Sequence, residues 1–167
     1  GYCMVLLESA IRRTQVIKEY SGESIDIFPV KRVMLVNPPD VDVSMFDYDT
    51  AKRGRGNNYP PYGLGVLATH LRNHGYEVTI CDLNHEILKT IFLTEQRIDY
   101  EQTWKSLLEK WIKDFNPDLI GITCLFSVTG KSLQLVCQHI RSITNAKIAV
   151  GGVHLTHDHE NILKETE

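Results

Sequence analysis

Val33-Met34-Leu35-Val36-Asn37-Pro38-Pro39 is a compact apolar run that stops on two prolines. Consecutive apolar residues suit a strand buried on both faces, and proline, lacking a backbone N–H, ends the ladder. The run predicts a buried strand that leads into a loop. Further on, Pro61 stands where a helix's first turn tolerates proline, and Leu64, Leu67, Ala68 and Leu71 share one helical face before Gly75. Glu77 to Leu83 reads as a second short strand, and a variable segment follows it. Between Glu101 and Phe115, the residues Trp104, Leu107, Leu108, Trp111 and Phe115 form one apolar stripe, closed by Asn116-Pro117. Core packing accounts for both tryptophans. Leu119 to Leu125 reads as a third strand, and Leu133, Val136, Cys137 and Ile140 mark the next helix. Lys147 to Val150 gives a fourth strand, which runs into Gly151-Gly152-Val153-His154.

Strands alternating with amphipathic helices imply an α/β fold: a doubly wound, mostly parallel sheet, here over residues 31–167. Residues 1–30 read as an N-terminal helix, roughly Cys3 to Tyr20, and a linker with the polar turn Ser21-Gly22-Glu23-Ser24. No function attaches to them. In parallel sheets ligands bind in the loops at the carboxyl ends of the strands. Three of those ends are chemically unusual: Asn37-Pro38-Pro39, Thr123-Cys124-Leu125 with Ser127, and Gly151-Gly152. A Gly-Gly pair lets a ligand approach the backbone without meeting a Cβ, although it equally serves a tight turn. Thr123 and Ser127 offer hydroxyls to a polar ligand, and Ser127 or Thr129 equally suits a helix cap. Their coincidence at one edge of the sheet gives the reading its weight.

Other ligands fit these ends poorly. A phosphoacceptor site needs acidic residues after the first strand and an Asp after the third, where this chain has Asn37 and Thr123. A dinucleotide site needs a glycine-rich turn running straight into a helix, whereas here two prolines open a loop of about twenty residues. His154, His157 and His159, with Asp158 and Glu160, raise the question of a metal; a solvated loop and helix start explains them more simply, and no metal site is expected. Cys3, Cys81, Cys124 and Cys137 have neither CxxC nor CxxxCxxC spacing and read as reduced, mostly buried thiols. With 18 basic and 21 acidic side chains, and only Lys52, Arg53 and Arg55 clustered, nucleic acid is not an expected partner. No apolar run approaches the length of a membrane span, no secretory signal is evident, and a cytoplasmic location is expected.

Taken together, Val33 to Pro39, Tyr59-Pro60-Pro61-Tyr62-Gly63-Leu64-Gly65, Gly75-Tyr76-Glu77-Val78, Pro117 to Thr123 and Val150 to His154 resemble the N-terminal cobalamin-binding domain of cobalamin-dependent radical SAM enzymes. The resemblance covers residues 32 to about 163. It implies a flavodoxin-like, Rossmann-like cobalamin-binding fold that here lacks its last strand. It also implies a slot for the cofactor's nucleotide tail at Thr123, Cys124, Leu125, Ser127, Gly151, Gly152, Val153 and His154, and a corrin platform beside Asn37, Pro38, Pro39, Tyr62 and Gly63. Cobalamin mutases carry Asp-x-His-x-x-Gly after the first strand, whereas this chain reads Asn37-Pro38-Pro39-Asp40-Val41-Asp42. Base-off cobalamin without a histidine ligand is therefore expected.

The resemblance further implies a radical SAM domain in the same polypeptide, with S-adenosylmethionine and a 4Fe-4S cluster, and methyl transfer as the reaction. No catalytic residue is expected in this chain. The segment from Asp40 to Asn58 offers Met45, Phe46 or Tyr48 to the corrin and Arg53 or Asn57 to its amides; a surface loop is the plainer reading. The alternative for the whole is a flavodoxin-like module that binds another nucleotide-type ligand or a protein partner, with no catalysis of its own.

Overall fold

In the computed structural model the described residues are 29–41, 44–123 and 130–151. Val33-Met34-Leu35-Val36 forms the centre of β1 (Arg32–Asn37), which is buried from Val33 onward. It is flanked by β2 (Glu77–Asp82) and β3 (Leu119–Thr123), and β4 (Lys147–Gly151) pairs with β3. All three pairings are parallel, in the order β2-β1-β3-β4. Strand order thus reverses direction between β1 and β3, which is where such a sheet opens a crevice at its carboxyl edge. The doubly wound α/β architecture expected from the sequence is the one observed.

The helices are α1 (Tyr48–Lys52), α2 (Tyr62–Asn73), α3 (Leu83–Leu93), α4 (Tyr100–Phe115) and α5 (Gly130–Ile143). Two of them correct the sequence reading. The supposedly variable segment after β2 is α3, whose Leu83, Ile87 and Ile91 are fully buried. It starts without a spacer: Asp82, the last residue of β2, also caps the helix by accepting the His85 N–H at 3.1 Å. The long loop after β1 likewise contains α1, capped by Asp47. In that segment Phe46 stacks on Tyr100 at 4.0 Å between centroids, and Arg97 lies over the Tyr48 ring. Lys52 donates to the carbonyls of Ile91, Phe92 and Thr94 at the end of α3. Phe46, Tyr48 and Lys52 therefore bind the segment to its own helices rather than waving in solvent.

The two faces of the sheet are dressed differently. Met34, Val36, Ile120 and Ile122, with Ile148 and Val150, pack against α3, α4 and α5. Val33 and Leu35, with Val78, Ile80 and Leu119, pack against Leu64, Leu67, Ala68 and Leu71 of α2. Trp104 is buried in the first cluster, and Trp111 packs at its margin, so both tryptophans are packing residues. At the amino edge of the sheet, Asp118 accepts the N–H groups of Lys31 and Arg32 at 2.8 Å each, holding its carboxyl below the ordinary range. Asn116 ends α4 in the left-handed region, at φ 49°.

Candidate functional site

Alternation along a strand decides what each face presents at the carboxyl edge. Because Leu119 faces α2 and Ile120 and Ile122 face the other helices, Gly121 and Thr123 also face the α2 side. By the same logic Ala149 and Gly151 of β4 share that face, and the register pairs Gly121 with Ala149 and Thr123 with Gly151. The α2 side of β3 and β4 is thus a trough of small residues with no described helix packed over it, in which Gly121, Thr123 and Gly151 are buried and Ala149 is partly so. A Cβ on Gly121 would stand 3.0 Å from Leu35 Cδ2, so the glycine leaves room for the Leu35 side chain. At its end lies the buried hydroxyl residue Thr123.

Among the expected site residues, Asn37, Thr123 and Gly151 therefore come together at one edge of three neighbouring strands. Cys124, Leu125, Ser127, Gly152, Val153 and His154 lie outside the described residues, as do His157, His159, Cys3 and the Cys3–Tyr20 helix. Pro38 and Pro39 are buried. Pro39, with Val41, Tyr100, Trp104 and Ser132, lines a cavity of about 10 Å³ beneath the edge. Ser132 Oγ is buried there without a hydrogen-bond partner among the described residues. Tyr62 and Gly63 form the first turn of α2, where Tyr62 is 79% exposed and nothing lies within reach of a Cβ on Gly63. Cys81 and Cys137 are buried, and burial pushes the Cys81 thiol up.

The β1–β2 half of the same edge is a polar seam that the sequence reading did not single out. Asn37 Nδ2 donates to Asp82 Oδ1 at 2.9 Å; since a carboxylate only accepts, this fixes the orientation of the Asn37 amide. Asn84, also buried, accepts the Asp40 N–H at 3.2 Å and donates to the Asn57 carbonyl at 2.8 Å. The Asn58 amide meets His85 Nδ1 at 3.1 Å. Three short segments are so joined: the end of β1, the start of α3, and the two asparagines before α2. Asp40 is half-buried, and its carboxyl is pushed up by burial and then by the neighbouring Asp82. The signal that could have found this seam was the helical spacing of Leu83, Ile87 and Ile91, which places Asp82, Asn84 and His85 in a first turn at the strand edge.

A family profile described as the B12 binding domain matches residues 50–167. A curated relative, the cytidylyl-2-hydroxyethylphosphonate methyltransferase of Streptomyces wedmorensis, is 28% identical over 131 residues, which cover 74% of this chain and 22% of the relative. The chain thus spans less than a quarter of that protein's length. A solved structure of a novel cobalamin-binding protein from Desulfitobacterium hafniense aligns with a TM-score of 0.48 at 13% identity, covering 82% of this chain and 50% of that one.

Proposed function

We propose, for a chain that belongs to the B12 binding domain family, that it is the cobalamin-holding module of a radical SAM methyltransferase. The observation that carries the cobalamin site is the trough of small residues on the α2 side of β3 and β4, where the register sets the Thr123 hydroxyl beside Gly151 at the carboxyl edge. Such a surface suits a planar nucleotide base and its linker, because neither meets a Cβ on the way in. Thr123 is the hydroxyl donor at the mouth, and the resemblance adds Ser127 and Gly152, which lie outside the described residues. Asn37, Pro38 and Tyr62 border the corrin side. No histidine stands in Asn37-Pro38-Pro39-Asp40, so the loop after β1 supplies no axial ligand and the cofactor is held base-off.

Cobalamin supplies a cobalt-centred methyl carrier, and the residues of this chain hold and orient it. The methyl donor in this reading is S-adenosylmethionine, bound with a 4Fe-4S cluster by a radical SAM domain of the same polypeptide. The methyltransferase relative supports the reaction class, and the motif resemblance supports the radical SAM context. A CxxxCxxC motif in the continuing polypeptide is the expected companion. The test of the site is titration with hydroxocobalamin of wild type and of Ala149→Phe, which fills the trough. Wild type is expected to bind about one equivalent, and the variant at least about tenfold more weakly, the cost of excluding a well-buried group. Equal affinity, with both proteins folded by circular dichroism, removes the trough as the tail site.

A further inference from the structure

The β1–β2 end of the site carries two carboxylates that the fold leaves poorly compensated. Asp82 uses Oδ1 for both Asn37 Nδ2 and the His85 N–H, and Oδ2 has no partner among the described residues. Asp40 has its backbone N–H taken by Asn84, but its side chain accepts no hydrogen bond among the described residues. Among the described residues, the neighbouring charge that acts on Asp40 is that of Asp82, and it is of the same sign. No ion pair joins Asp40 or Asp82 to a lysine or arginine among the described residues; Lys52 is spent on the carbonyls of Ile91, Phe92 and Thr94, and Arg53 Nε donates to the Asp49 carbonyl. The seam therefore offers anionic acceptors, held in place by Asn37 and Asn84, with no cation paired to them among the described residues.

Cobalamin presents two kinds of polar group to a protein: neutral carboxamides around the corrin, and one anionic phosphodiester in the tail linker. An anionic seam accepts hydrogen bonds from the first and repels the second. We propose that Asp40 and Asp82 make the β1–β2 end of the site selective for the amidated corrin periphery, discriminating against corrins that carry carboxylates in place of those amides. This rests on the reading of the edge as a cobalamin site. The same polarity directs the phosphodiester away from β1 and β2 and toward Thr123 and Gly151, where no acidic side chain stands on the facing strand residues. Asn37 and Asn84 act as positioning residues: one fixes Asp82, the other fixes the Asp40 backbone.

The test is equilibrium titration of the chain with cobalamin and with cobalamins in which a single peripheral propionamide has been hydrolysed to the carboxylate, for wild type and Asp40→Asn. At least one monocarboxylate is expected to bind wild type about tenfold or more weakly than cobalamin, the effect of adding one like charge at a partly desolvated edge. Asp40→Asn, which removes the like charge, is expected to narrow that gap. Should every monocarboxylate bind wild type as tightly as cobalamin does, selection by the seam is overturned and the cobalamin site stands. A gap that Asp40→Asn leaves unchanged overturns the role of Asp40. Failure of wild type to bind cobalamin itself overturns the site reading and the selection together. The wild-type comparison decides the matter even if the variant does not fold.

Discussion

Asp40 and Asp118 are both aspartates at the ends of β-strands, and their environments push them in opposite directions. Asp118 accepts two backbone N–H groups, so its carboxyl sits below the ordinary value of 3.8. Its folded-state pKa is lowered, so its contribution is present above that ordinary value and is lost as pH falls through the folded one. Asp118→Ala is expected to lower stability by about 1–2 kcal/mol at neutral pH, the cost of orphaning N–H groups. Denaturant melts of the pair should converge under strongly acid conditions. Asp40 is raised by burial and by Asp82, so its charged form weakens the fold, and that penalty disappears as pH falls through its raised folded value. Asp40→Asn is accordingly expected to raise the Tm of the protein without cofactor at neutral pH and to leave it unchanged in acid. A lower Tm at neutral pH would mean that Asp40 makes a contact that its surroundings do not show.

At the scale of elements, Lys52 ties the segment before α2 to the last carbonyls of α3, where the helix dipole also favours a cation. Lys52→Met keeps the stem and removes the charge. It is expected to cost about 1 kcal/mol in thermal unfolding and to speed proteolysis between residues 44 and 58, because one charge-assisted bond to the helix end is lost. Most elements were legible because their apolar residues recur at helical spacing or cluster in short runs: Val33 to Val36, Leu64 to Leu71 and Leu133 to Ile140 all fold as their patterns say. The helix α3 was not, although Leu83, Ile87 and Ile91 carry its stripe. Its cap is the last residue of a strand, so no turn residue separates the two patterns. The seam of Asp82, Asn84 and His85 was hidden for the same reason. The short α1 was hidden because its single buried residue, Ala51, gives no stripe to read.

At the scale of the molecule, the sheet is covered by α3, α4 and α5 on one face, while on the other the described helices leave β3 and β4 bare beside α2. The proposed site follows that asymmetry: the small residues Gly121, Thr123, Ala149 and Gly151 lie on the half that no described helix covers, and the carboxylates Asp40 and Asp82 at the other end. The sequence shows the strand ends one at a time, but which of them share a face depends on register and strand order. No helix among the described residues is long and apolar enough to cross a membrane. Asn37, Thr123 and Gly151 could be named in advance because two prolines and two glycines punctuate those strands; their partners across the sheet could not. The central claim is that this edge holds cobalamin with its tail base drawn off the cobalt into the trough and no histidine replacing it. The direct measurement is the absorbance spectrum of the chain after reconstitution with hydroxocobalamin and removal of unbound cofactor. A base-off spectrum at about one equivalent per chain is the expected result. A retained spectrum with the tail base still on cobalt, or one showing histidine ligation, would contradict it, and so would a protein that retains no cobalamin.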